Sequence, residues 1–115
     1  MNNLEEVLKR LIENTNSESA ILVNAEGLAI ASVNADSEDR IAVMIASLHS
    51  MGEKFSSDLD KGGIEQFYIK TKDGYILLKD VNKTTIIGLI AKDNSKLGLL
   101  MMYLDSATNE ISSLL

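Results

Sequence analysis

From about Asn3 to Asn14, apolar residues recur at helical spacing. Leu4, Val7, Leu8, Leu11 and Ile12 share one side, leaving Glu5, Glu6, Lys9, Arg10 and Glu13 for water. Asn3 with Glu6 three residues later has the form of a capping box. The period then changes. Ala20-Ile21-Leu22-Val23, within Ser19 to Asn24, is apolar without alternation, as in a short strand with neither face wet. Asn24-Ala25-Glu26-Gly27 supplies a turn whose glycine suits positive φ. Leu28 to Val33 returns as the second strand of a hairpin.

Asp36-Ser37-Glu38-Asp39 offers N-cap residues followed by acids in a first turn. This predicts a helix of about twenty residues, as the pattern stays helical to roughly Leu59. Its buried stripe is expected to hold Ile41, Ile45, Leu48, Gly52, Phe55 and Leu59, widened by Met44 and Met51. The other side carries Val43, Ala46, Ser47, Ser50, Lys54 and Ser57, less charged than a solvated helix face usually is. Its small residues would let a second helix approach closely.

Lys61-Gly62-Gly63 should end that helix. Ile64 to Thr71, Tyr75 to Val81 and Thr84 to Ala91 then have strand character, joined by Lys72-Asp73-Gly74 and Asn82-Lys83. Connections this short make the neighbours antiparallel. Ile86-Ile87-Gly88-Leu89-Ile90 is apolar on both faces and belongs in the middle of a sheet, whereas the mixed Ile64–Thr71 suits an edge. Asn94-Ser95 should cap a last helix from about Lys96 to Leu114, with Leu97, Leu100, Met101, Leu104, Ala107 and Ile111 inward. The predicted fold is an α/β (α+β) sandwich of one domain over residues 1–115. Its order is α-β-β-α-β-β-β-α: a five-stranded antiparallel sheet with helices on both faces.

Composition narrows the function. Hydrophobic residues make up 45 % and charged residues 24 %, ordinary for a folded domain, and the net charge is −6. Seventeen acids against eleven bases, without a basic run, argue against nucleic acid or an anionic membrane as partner. Leu97 to Leu104 is far shorter than the roughly 20 apolar residues that span a bilayer, and the start Met1-Asn2-Asn3-Leu4-Glu5-Glu6 lacks a basic leader. No membrane insertion is expected. Cysteine is absent, which removes disulfides, thiolate metal sites and cysteine nucleophiles and suits a cytoplasmic location.

Catalytic groups are sparse. His49 is the sole histidine and is expected on the surface or beside a dimer contact; one imidazole with scattered acids makes a poor start for a metal site. His49 and adjacent Ser50 point about 100° apart on a helix, so they form no nucleophile–base pair. Gly62-Gly63 and Gly88 match no phosphate-binding loop and are better understood as a helix terminator and a close-packed strand position. No enzyme activity, cofactor or metal is expected.

Gly27-Leu28-Ala29-Ile30-Ala31-Ser32 resembles the "G-L-x-I-A-S" hairpin of Roadblock/dynein light chain proteins. Lys96-Leu97-Gly98-Leu99-Leu100 resembles that family's "N-L-G-L" helix start. The element order is similar across nearly the whole chain. The resemblance implies a homodimer formed through the second helix and third strand, which would assign an interface to Arg40, Val43, Ala46, Ser47, Ser50, Lys54, Phe67 and Ile69. It also implies a cytoplasmic adaptor that binds a small Ras-like GTPase and modulates its hydrolysis or localisation. A structural light chain or scaffold, holding a peptide or another domain of the family, is the alternative. Arg10 and Arg40 are the only arginines, and Arg10 is expected on the far helical layer. Any stimulation of hydrolysis should therefore act by positioning the GTPase rather than through an arginine finger.

Overall fold

A computed structural model describes residues 3–115. The elements follow the predicted order: α1 (Asn3–Thr15), β1 (Ser19–Asn24), β2 (Ala29–Val33), α2 (Glu38–Asp58), β3 (Gln66–Thr71), β4 (Gly74–Asn82), β5 (Thr85–Lys92) and α3 (Leu97–Leu114). The strands make one antiparallel sheet in the order β2-β1-β5-β4-β3. β1 and β5, the strands without alternation, lie next to each other, with β5 at the centre and β3 on an edge. None of the helices is long and apolar enough to cross a membrane, among the described residues.

Local chemistry explains most boundaries. In the β1–β2 turn, Asn24 Oδ1 accepts the backbone N–H groups of Glu26 and Leu28, each at 3.0 Å, and Gly27 takes φ 94° as expected. At three helix ends the capping differs from expectation. Asn3 is the first residue of α1, so the residue before it lies outside the described ones. Ser37 precedes α2 in a left-handed conformation without a side-chain cap, and Lys96 rather than Asn94 or Ser95 stands at the cap of α3. α2 ends at Asp58, ahead of the glycines: the Leu59 N–H reaches back to Phe55 O, and Asp60 takes the left-handed turn at φ 59°. β3 likewise starts two residues late, at Gln66.

The sheet separates two unequal cores. On one face α1 and α3 pack together over Leu22, Leu77, Ile87 and Leu89, burying Leu8, Leu11, Leu100, Leu104 and Ile111. Arg10 donates to both Glu110 carboxylate oxygens across these helices, at 3.1 and 2.5 Å, and holds that carboxyl below its usual range. The other face carries α2 alone, over a smaller cluster of Ile21, Val23, Ala42, Ile45, Leu78 and Ile86. α2 lies chiefly over β1, β2 and β5.

Gly88 sets the closeness of that second layer. A Cβ there would come within 2.8 Å of Ile45 Cδ1 and 3.3 Å of Ile21 Cγ2. Gly88→Ala is expected to push α2 outward and cost about 1–3 kcal/mol, as overpacking does. Urea unfolding of the two proteins measures it; an unchanged midpoint would show that α2 yields freely.

Candidate functional site

α2 is turned differently from the stripe its periodicity suggested. Its buried residues are Ala42, Ile45, Ala46 and His49. Ile41 and Leu48 are half-buried, while Met44, Met51, Phe55 and Leu59, all expected inward, are exposed, Met51 by 70 % and Phe55 by 69 %. The cause is the apolar character of most of the helix circumference: several stripes could face the sheet. The small side chains of Ala42 and Ala46 permit the closest approach and win the inner position. Met44, Met51 and Phe55 consequently form an apolar ridge without a partner among the described residues, as large exposed patches at interaction sites do.

The sequence-predicted interface residues are divided by this rotation. Arg40, Val43, Ser47, Ser50 and Lys54 are exposed on α2, Ser47 with its hydroxyl donating to Val43 O at 2.9 Å. Ala46 is buried against the sheet side instead, with its Cβ near the β1–β2 turn at Gly27. Val43, Ala46, Ser47 and Ser50 nevertheless line one shallow depression of about 370 Å³ with Ala25, Glu26 and Gly27. Phe67 and Ile69 are half-buried on β3, paired with Leu78 and Ile76. Phe67 packs onto the α2-side cluster, so it belongs to the margin of the core as well as to the sheet edge.

A larger groove of about 590 Å³ runs along the flank of α2, lined by Ala46, His49, Ser50, Glu53, Ile64, Asp80 and Lys83 among others. Of the two places expected for His49, the surface one is excluded: the residue is buried, at 8 % exposure. One helical turn and the inward bias of α2 bring His49 and Glu53 to the same side, and Asp80 faces them from β4, beside a slip in the β4–β5 register. His49 Nε2 stands 2.6 Å from Asp80 Oδ1 and 3.9 Å from Glu53 Oε1. Both atoms are shielded from solvent, and neither has an aligned hydrogen-bond partner among the described residues. Burial pushes the Asp80 carboxyl above its ordinary range, and His49 offsets part of that. The loop after α2 completes the groove: the Ile64 N–H donates to Glu53 Oε1 at 3.0 Å, and Ile64 Cδ1 fills the space over Gly52. A lone acid, next to Lys79 in the otherwise apolar run Tyr75–Val81, was the available signal for Asp80.

The family model of the Roadblock/LC7 domain matches residues 3–91, from α1 to the end of β5. The chain belongs to the Roadblock/LC7 domain family. The hairpin motif at Gly27–Ser32 lies inside the matched span, whereas the helix start at Lys96–Leu100 lies beyond it. Solved structures with this Roadblock/LC7 fold cover the rest. Myxococcus xanthus MglB superposes with a TM-score of 0.94 at 15 % identity, over 99 % of this chain and 95 % of that one. A Roadblock/LC7 domain from Streptomyces avermitilis has a TM-score of 0.92 at 17 % identity, over 98 % of both chains. The gliding protein MglB from Thermus thermophilus has 0.88 at 14 %, over 98 % of this chain and 91 % of that one. Comparison with curated proteins gives no match by sequence. At these identities the solved structures establish the fold, and the groove residues must be judged on their own geometry.

His49→Ala removes packing and leaves the half-buried Asp80 without its facing imidazole. It is expected to cost about 2 kcal/mol or more. Asp80→Asn replaces a charge that burial disfavours with a neutral amide of the same shape, so its cost should stay below about 1 kcal/mol. Chemical denaturation of both variants measures the difference, and equal losses would mean that the charged His49–Asp80 pair, which both variants break, carries the stability.

Proposed function

We propose that this protein is a non-catalytic, homodimeric adaptor that binds a small Ras-like GTPase across its paired second helices and modulates GTP hydrolysis or localisation. The observation that carries the proposal is the ridge of Met44, Met51 and Phe55 on α2. Three large apolar side chains stand exposed in a row, next to the weakly charged Val43, Ser47 and Ser50. A second copy laid against it would bury the ridge by two-fold symmetry, the commonest way for a chain to close on itself. β3 supports the same arrangement, because its outer edge has no strand partner among the described residues and its Phe67 and Ile69 are only half-buried. Family membership makes a regulatory or adaptor role the natural assignment.

Arginine placement bears on how hydrolysis would be modulated. Arg10 is engaged by Glu110 on the opposite layer, while Arg40 is exposed in the first turn of α2. With one solvent-facing arginine on the binding face, stimulation is expected to come from positioning the switch segments of the GTPase. A scaffold that takes an extended peptide along the open edge of β3 is the second function this geometry favours.

Binding to small Ras-like GTPases loaded with GTP analogue or GDP tests the proposal, with mass recorded by light scattering. Preference of a dimer for the GTP form is the expected result. A dimer indifferent to every GTPase in both states would point to the scaffold. Met51→Asp combined with Phe55→Asp is expected to yield a folded monomer that has lost GTPase binding; a dimer that survives both charges would place the interface elsewhere. Arg40→Ala should retain stimulation, and its loss with binding intact would reveal an arginine finger.

A further inference from the structure

His49, Glu53 and Asp80 meet in a way that an ordinary ion pair does not explain. Their donor atoms, one nitrogen and two oxygens, lie within 4.8 Å of one another. His49 is more than nine-tenths buried, and its Nε2 and Asp80 Oδ1 are both shielded from solvent without an aligned hydrogen bond. Two such atoms facing each other unsatisfied are costly unless something is shared between them. Glu53 Oε1 stands 3.9 Å from the same Nε2, so three potential ligand atoms share one small space.

That convergence is what a cation requires. In a tetrahedral site with ligands at about 2.0–2.2 Å, donor atoms stand roughly 3.4 Å apart. The observed separations of 2.6 and 3.9 Å lie on either side of that value, so shifts of under about 1 Å would bring both pairs to it. The ligands are preset by the scaffold: His49 and Glu53 sit one turn apart on α2, and Asp80 faces them from β4. The Ile64 N–H that donates to Glu53 is an outer-shell contact of the kind that orients a ligating carboxylate. The groove leaves a fourth position for water. One imidazole with two carboxylates suits zinc and its neighbours, whereas magnesium and calcium prefer six or more oxygens.

We infer that His49, Glu53 and Asp80 form a binding site for a divalent transition ion of the zinc class, which ties α2 to β4 and keeps one coordination position open to the groove. All three ligands come from one chain, beside the apolar ridge.

Titration of the untagged, chelator-treated chain with Co²⁺ tests it through the visible absorption of tetrahedral cobalt, followed by displacement with Zn²⁺. A saturable band at one ion per chain is expected, removed by Zn²⁺ and unaffected by excess Mg²⁺. Glu53→Gln and Asp80→Asn, both near-isosteric and checked for folding by circular dichroism, should each weaken binding about tenfold or more. Zn²⁺ should raise the thermal midpoint of the parent chain and leave that of the variants in place. Absence of a saturable band at sub-millimolar Co²⁺, or binding undiminished in both variants, would overturn the site.

Discussion

The structure depends on a sheet that is apolar on both faces but fully covered on only one. β1 and β5 bury residues on both sides, so neither face can be left to water. Two helices close one side, linked to each other by the Arg10–Glu110 pair. A single helix must serve the other, and it lies mainly over β1, β2 and β5. The half of the sheet formed by β4 and β3 is therefore less well covered, and Phe67, Ile69 and Ile76 stay half-buried there. The incompleteness of that layer is why the proposed interaction surface is placed on that side.

Close approach of α2 is the second consequence. The helix must come near enough for one layer of side chains to fill the space, and small residues on both partners allow it. Ala42 and Ala46 on the helix and Gly88 on the strand keep the distance short. The same tightness draws His49 inward against Asp80, which a more distant helix would leave in water. The groove between α2 and the loop before β3 exists because the helix sits to one side of the sheet. Burial, the apolar ridge and the polar cluster thus follow from one packing arrangement.

The proposed function rests on surfaces of the molecule. The apolar ridge and the open edge of β3 are suited to another protein chain. The His49–Glu53–Asp80 cluster lies beside them, where an ion would brace the helix that carries the ridge.

Local physical chemistry alone determined the elements. Helical and two-residue periodicities, the Asn24–Gly27 turn and the Asp73-Gly74 connection act within a few residues of chain. Element order, antiparallel pairing and the central place of β5 were accordingly legible in the sequence. So was the short approach at Gly88, because a glycine in an apolar central strand leaves room that a neighbouring side chain must fill. Three matters were decided only by tertiary structure. The helix ends differ in detail: Ser37 caps α2 in a left-handed conformation without a side-chain bond, and Asp60 turns the chain ahead of the glycines. The rotation of α2 could not be taken from its pattern: apolar residues occupy most of its circumference, and only packing against Gly88 and the small alanines selects the stripe that turns inward. His49 meets Asp80 only because pairing with β5 sets β4 beside α2, a contact between distant stretches of chain that no local pattern encodes.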